Sequence, residues 1–163
     1  MEPLAEQLVA PDDLESLGKE YAAAGKKLVL TNGCFDLLHT GHVRYLQQAR
    51  GCGDALLVAV NSDASVKELK GPERPLNGEL DRAVVLAALR CVDYVTIFTG
   101  KRVTEVIRKL RPAIYAKGGD YTPETLDPGE RAALEEVGAE IRLLQLVPGR
   151  STTSLLERVK SPT

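Results

Sequence analysis

The stretch Thr31-Asn32-Gly33-Cys34-Phe35-Asp36-Leu37-Leu38-His39-Thr40-Gly41-His42 decides how this chain reads. It leaves an apolar run, Lys27-Leu28-Val29-Leu30-Thr31-Asn32, and enters a helix-like run, Val43-Arg44-Tyr45-Leu46-Gln47-Gln48-Ala49-Arg50. The order is strand, glycine-containing turn, helix, with the two histidines at the helix entrance. A helix N-terminus carries unpaired backbone N–H groups and a partial positive charge, which suits a phosphate. Histidines three apart share one face of the first turn, so both imidazoles reach the same anion. Gly41 between them permits a backbone approach that a Cβ would obstruct. The pattern predicts a site for a nucleoside triphosphate.

Outward from this stretch, apolar runs recur at 27–32, 54–61, 92–98, 112–116 and 140–146, rich in Val, Ile and Leu. Their near-continuous apolar character predicts strands covered on both faces of a parallel sheet. Helical patterns lie between them at 11–24, 42–50, 77–90, 102–110 and 128–137, with a last one at 151–159. Gly25, Gly51 and Gly138 stop three of these, and Asn77 is placed to cap the third, with Leu80, Val84, Leu86 and Leu89 on its apolar side. The expected fold is α/β, a Rossmann-like doubly wound parallel sheet of about five strands with helices on both faces. Ligands of such sheets bind beyond the carboxyl ends of the strands at the topological switch point. The first strand would deliver His39 and His42 there.

The 163 residues are expected to form one domain, with a core at about 26–160 and an N-terminal helix at about 11–25. A net charge of −2 gives no basic field for nucleic acid, and no apolar run approaches a membrane span. Three cysteines without a CxxC spacing, and a first stretch unlike a secretory leader, point to the cytoplasm. Cys52 and Cys91 read as small buried hydrophobes, and Gly51-Cys52-Gly53 as a helix stop.

His39 and His42 are the only histidines, and both fall on one turn, so surface polarity is a poor account of them. Zinc, with Cys34 as a third ligand, lacks the carboxylate of an HExxH pattern. Phosphate remains the better partner. Lys70 and Arg74 flank Gly71-Pro72 in an irregular basic loop at 71–78 that could close over a ligand, and Arg82 follows in the next helix. Lys117-Gly118-Gly119-Asp120 follows a strand end, where an acidic acceptor suits ribose or sugar hydroxyls; an ordinary turn is the alternative. Ser151-Thr152-Thr153 opens the last helix, as a cap or as hydroxyl donors to phosphate. Ser62 reads as a cap; Asn61 and Asp63 beside it are open between capping and ligand contact. Asp36 either organises the turn or touches the ligand.

Gly33-Cys34-Phe35-Asp36 with His39-Thr40-Gly41-His42 resembles the signature of the cytidylyltransferase-like nucleotidyltransferase superfamily, although Cys34 stands where Thr is usual. The whole of 31–42 is similar to one branch, the adenylyltransferase domain of bifunctional heptose kinase/adenylyltransferases of the ADP-heptose pathway. Val58–Asp63, Leu69-Lys70-Gly71 with Arg74-Pro75, Cys91–Val95, Lys117–Tyr121 and Gly149–Thr153 extend the resemblance over about 12–160. It implies catalytic His39 and His42. Around the nucleotide it places Asn32, Gly33, Cys34, Phe35, Gly41, Lys117, Gly118, Asp120, Ser151, Thr152 and Thr153. Around the substrate or phosphates it places Asp36, Asn61, Asp63, Lys70, Arg74 and Arg82. ATP, Mg2+ carried on its phosphates and a heptose 1-phosphate are the implied ligands, with a separate kinase upstream; a homodimer is expected. The nearest alternative is a cytidylyltransferase acting on glycerol 3-phosphate or a similar polyol or amino-alcohol phosphate. A non-catalytic ATP-sensing module is the alternative of another class.

Overall fold

The structure, a computed structural model, describes residues 7–119, 121–122, 124–145, 156 and 159. Five strands form one sheet: β1 (Leu28–Gly33), β2 (Ala55–Asn61), β3 (Tyr94–Phe98), β4 (Ile114–Gly118) and β5 (Glu140–Leu144). Every pairing is parallel, in the order β3-β2-β1-β4-β5. All seven residues of β2 are buried, which is what a continuous Ala-Leu-Leu-Val-Ala-Val-Asn run requires of a strand covered on both faces.

The helices are α1 (Leu14–Ala23), α2 (Thr40–Arg50), α3 (Asp63–Lys70), α4 (Glu79–Ala87), α5 (Thr104–Leu110) and α6 (Pro128–Val137). Alternate strand residues feed two cores. On one face Leu28, Leu30, Leu57 and Tyr115 pack with α1, α5 and α6 through Leu14, Ile107, Leu110 and Leu134. On the other, Val29, Leu56, Val58 and Ile114 pack with α2 and α4 through Tyr45, Leu46, Ala83 and Leu86. This is the doubly wound arrangement expected. β1 lies at its centre, with β2 on one side and β4 on the other, so the β1–α2 turn opens at the switch point.

Several local expectations are corrected. The helix predicted from Asn77 begins at Glu79 with Gly78 as N-cap, because the Asn77 side chain donates instead to the Asp36 carbonyl at 2.7 Å. Leu80 and Val84 face outward, 65% and 39% exposed, while Arg82, Ala83, Leu86 and Ala87 face inward. Cys52 and Cys91 are half-buried rather than core residues, and Cys52 Sγ donates to the Gln48 carbonyl. Gly51 does cap the C-terminus of α2 as expected, at an ordinary helical φ of −66°. Its neighbour Gly53 is the constrained one: a Cβ there would stand 2.6 Å from the Lys27 carbonyl oxygen. Gly138 does end α6 at φ 71°, and Ser62 caps α3 as expected. Residues 7–9 run beside β3, with Val9 N–H donating to the Val95 carbonyl, and cover that sheet edge. Of the helix predicted at 151–159, only Leu156 and Val159 fall within the described residues, and both are helical.

Candidate active site

The chain leaves β1 through a tight turn. Phe35 stands at φ 47°, a left-handed conformation that costs a bulky residue about 1 kcal/mol or more. Its ring packs edge-on against His42, centroids 5.4 Å apart. Gly33 accommodates that ring, since a Cβ there would meet it at 2.9 Å. His39 is the N-cap of α2, its Nδ1 accepting from Gly41 N–H at 3.1 Å. A neutral His39 therefore carries its proton on Nε2. The two imidazoles stack at 3.9 Å between centroids, 27° from parallel.

Burial lowers the His42 pKa to about 4, helped by the neighbouring His39 and by Lys70. His42 is thus neutral at physiological pH. Its Nδ1 is buried without a partner among the described residues, so a ligand contact falls to Nε2. The same Lys70 charge, at the end of α3, opposes the rise that burial imposes on the Cys34 thiol. Cys34 remains a thiol, directed at Asn61 Oδ1 at 3.8 Å.

Asp36 is 4% exposed and gathers the basic loop onto the turn. Its carboxylate accepts from Arg74 Nε at 2.7 Å, from Leu76 N–H at 2.9 Å and from Asn77 N–H at 2.9 Å. Burial alone would raise its pKa, but the Asn77 and Leu76 amides with Arg74 outweigh this and hold it below the usual carboxylate value. The loop expected to close over a ligand is therefore tethered at its base.

Arg82, 2% exposed, points inward from α4. Its guanidinium donates to the Cys34 carbonyl at 2.6 Å, the Asn77 carbonyl at 3.0 Å and Asp63 Oδ1 at 2.8 Å. It ties the β1 turn, the basic loop and the start of α3 together. Arg74 and Arg82, expected near the substrate or phosphates, here meet protein partners, and Asp63, open between capping and ligand contact, faces Arg82. Asn61, 3% exposed, donates to Ser65 Oγ, which donates on to the Gly100 carbonyl.

On the opposite face of the sheet, Tyr115 donates to Asn32 Oδ1 at 2.7 Å and Lys117 Nζ lies 3.3 Å from the Tyr115 hydroxyl. Lys117 also stands 3.8 Å from buried Glu130 and over the Tyr121 ring at 4.9 Å. Gly118 ends β4 beside them. Asp120, Ser151, Thr152 and Thr153 lie outside the described residues. Sequence reasoning missed Tyr115 and Glu130 because a tyrosine inside an apolar strand and a glutamate in a helix's first turn have ordinary explanations. Among the described residues no group of three His, Cys, Asp or Glu side chains is placed to hold a metal ion.

Comparison with known proteins places this geometry. The cytidylyltransferase-like family matches residues 30–156. The bifunctional protein HldE of Pelobacter propionicus is 53% identical over 148 residues, 91% of this chain and 30% of that protein. Its counterpart from Syntrophotalea carbinolica is 55% identical over 135 residues, 83% of this chain and 27% of that protein. The chain spans about 30% of the length of these curated relatives. The crystal structure of a lipopolysaccharide core biosynthesis protein from Thermoplasma volcanium superposes with a TM-score of 0.61 at 26% identity. That alignment covers 76% of this chain and 98% of the other. With the family's region running from within β1 through the histidine turn and every later strand, this chain belongs to the cytidylyltransferase-like family of nucleotidyltransferases.

Proposed function

We propose that the chain transfers AMP from ATP to a sugar 1-phosphate, D-glycero-D-manno-heptose 1-phosphate, releasing pyrophosphate and giving ADP-heptose. The observation that carries the transfer chemistry is the stacked His39–His42 pair at the entrance of α2, at the switch point of the sheet. The choice of acceptor rests on the resemblance of 31–42 and on the HldE relatives.

The acceptor phosphate is already anionic near neutral pH, so the reaction needs no strong general base. A phosphate oxygen attacks the α-phosphorus in line, and the bond to the pyrophosphate oxygen breaks. Catalysis then consists of positioning and of donors aimed where charge develops. His39 and His42 supply those donors, and Lys70 adds a cation from the end of α3. Cys34, held as a thiol by burial, is no nucleophile, which supports direct transfer without a covalent enzyme intermediate. Asp36 and Asp63 already face Arg74, Arg82 and backbone N–H groups, so Mg2+ would be held by the ATP phosphates and water, where it neutralises charge on them. The 1-phosphate of the acceptor implies a kinase step, which we assign to protein outside residues 1–163.

We place the reaction in the cytoplasm, where the three free thiols stay reduced. Among the described residues no helix is long and apolar enough to cross a membrane. We also propose a homodimer through α4, whose outward Leu80, Val84 and Val85 form an apolar stripe. Asp81 lies in the first turn of that helix and Arg90 beyond its far end, so an antiparallel second copy sets opposite charges together. Sedimentation of Val84→Lys as monomer against a wild-type dimer checks this; a wild-type monomer overturns it.

Pyrophosphate release tests the main reading, with ATP or CTP against each anomer of heptose 1-phosphate and against glycerol 3-phosphate. Turnover with ATP and one heptose anomer is the expected result. Preference for CTP and glycerol 3-phosphate would overturn the acceptor and nucleotide while keeping the fold.

A further inference from the structure

Asn32, Tyr115, Lys117 and Glu130 form a chain of polar side chains on the α5–α6 face of the sheet. Tyr115 is wholly buried, so its hydroxyl must find its partners within the protein. Lys117 can only donate, so at 3.3 Å the Tyr115 oxygen accepts. The phenolic proton must then go to the remaining neighbour, the oxygen of Asn32 at 2.7 Å. An Asn32 flipped the other way would present N–H to an oxygen already receiving one, and the Tyr115 proton would have no acceptor. Burial, with the Glu130 charge nearby, raises the Tyr115 pKa well above its ordinary value, so that proton is retained.

Direction therefore passes along the chain. Glu130, 3% exposed in the first turn of α6, holds the Lys117 ammonium 3.8 Å from its carboxylate. Lys117 fixes which way Tyr115 points, and Tyr115 fixes the amide of Asn32. The Asn32 Nδ2 has no partner among the described residues and turns away from Tyr115 at the carboxyl end of β1, next to Gly33.

We propose that Glu130, Lys117 and Tyr115 are positioning residues that lock the Asn32 amide with its NH2 toward the nucleotide, making Asn32 an obligate hydrogen-bond donor to that ligand. The inference rests on the nucleotide reading above and assigns the contacted ligand atom as an acceptor: a phosphate, ribose or base oxygen, or a base ring nitrogen.

A double-mutant cycle tests it, read as the ATP KM and kcat of pyrophosphate release. Tyr115→Phe and Asn32→Ala should each raise KM about five- to tenfold, the worth of one hydrogen bond, with kcat changed less than about threefold. In the Asn32→Ala background Tyr115→Phe should add nothing, because it acts only through Asn32. A Tyr115→Phe effect of the same size in both backgrounds, or no effect alone, overturns the proposal. Glu130→Gln, which keeps an acceptor, gives the same reading if Tyr115→Phe does not fold, with an expected rise of about twofold to threefold that also vanishes in Asn32→Ala.

Calorimetric binding of ATP, adenosine and tripolyphosphate replaces KM if the wild-type chain shows no turnover, which separates failure of the transfer reading from failure of this one. A loss in Asn32→Ala shared by adenosine assigns the acceptor to the nucleoside; a loss shared by tripolyphosphate assigns it to the phosphates. Unchanged ATP affinity in Asn32→Ala overturns the proposal.

Discussion

Asp36 Oδ2 and Arg74 Nε, 38 residues apart in the chain, meet at 2.7 Å and join the β1 turn to the basic loop at 71–78. The Leu76 and Asn77 amides close on the same carboxylate. One acidic side chain thus holds in place the segment that follows Lys70. Asp36→Asn weakens charge-assisted bonds without changing shape, at about 2 kcal/mol of local stability. Trypsin cleavage after Lys70 should accelerate at least about tenfold, and the acceptor KM should rise. Arg74→Ala, which leaves both amide bonds, should do less. Equal cleavage of wild type and Asp36→Asn would contradict the tether.

Arg82 is among the largest fully buried side chains of the described residues, and its partners are two carbonyls and one carboxylate. Removing it leaves all three without that donor, so Arg82→Leu should destabilise by about 3 kcal/mol in urea unfolding. Arg82→Lys should recover little, since an ammonium cannot span the fork. Restoration by lysine would show that only the charge matters.

His42 is protonated less readily in the folded chain, where its pKa is about 4, than in the unfolded chain, at about 6.5. Between those values the unfolded state binds more protons, so stability falls as pH drops from about 6.5 toward 4 and is fully present above that window. His42→Gln should flatten this part of the melting-temperature profile relative to wild type. A profile unchanged by His42→Gln would show that other groups govern it.

Thr96 on β3 buries its hydroxyl without a partner among the described residues. Replacing it by the isosteric valine removes an unpaired polar group from the core. Thr96→Val should stabilise by up to about 1 kcal/mol, seen as a higher urea midpoint with unchanged m-value. A destabilised variant would mean that the hydroxyl has a partner.

The parallel sheet was legible because β1 and β2 are runs that only burial on both faces explains, and the histidine turn because strand, glycine and His-Thr-Gly-His follow in nine residues' reach. The inward face of α4 was not. Leu80 and Val84 look like core positions by composition, but Arg82 takes the inward place because three acceptors, two of them from distant segments, await it. Contacts of that kind join residues 19 and 48 apart and leave no local pattern. The same holds for Asp36: sequence reading left it open between organising the turn and touching the ligand, and its interactions with the 74–77 segment come from residues 38 to 41 positions away, which no local pattern announces. Asn32, Tyr115 and Glu130 meet across β1, β4 and α6, where alternation and helix polarity each supply a bland local reason for the residue.

The imidazole pair at the entrance of α2 is tested most directly by the single-turnover rate of ADP-sugar formation in His42→Ala at saturating ATP and heptose 1-phosphate. Loss of one preorganised donor to the developing charge should lower that rate by about 10²–10³, with a smaller change in KM. A rate near wild type would contradict the assignment of the transfer to this site.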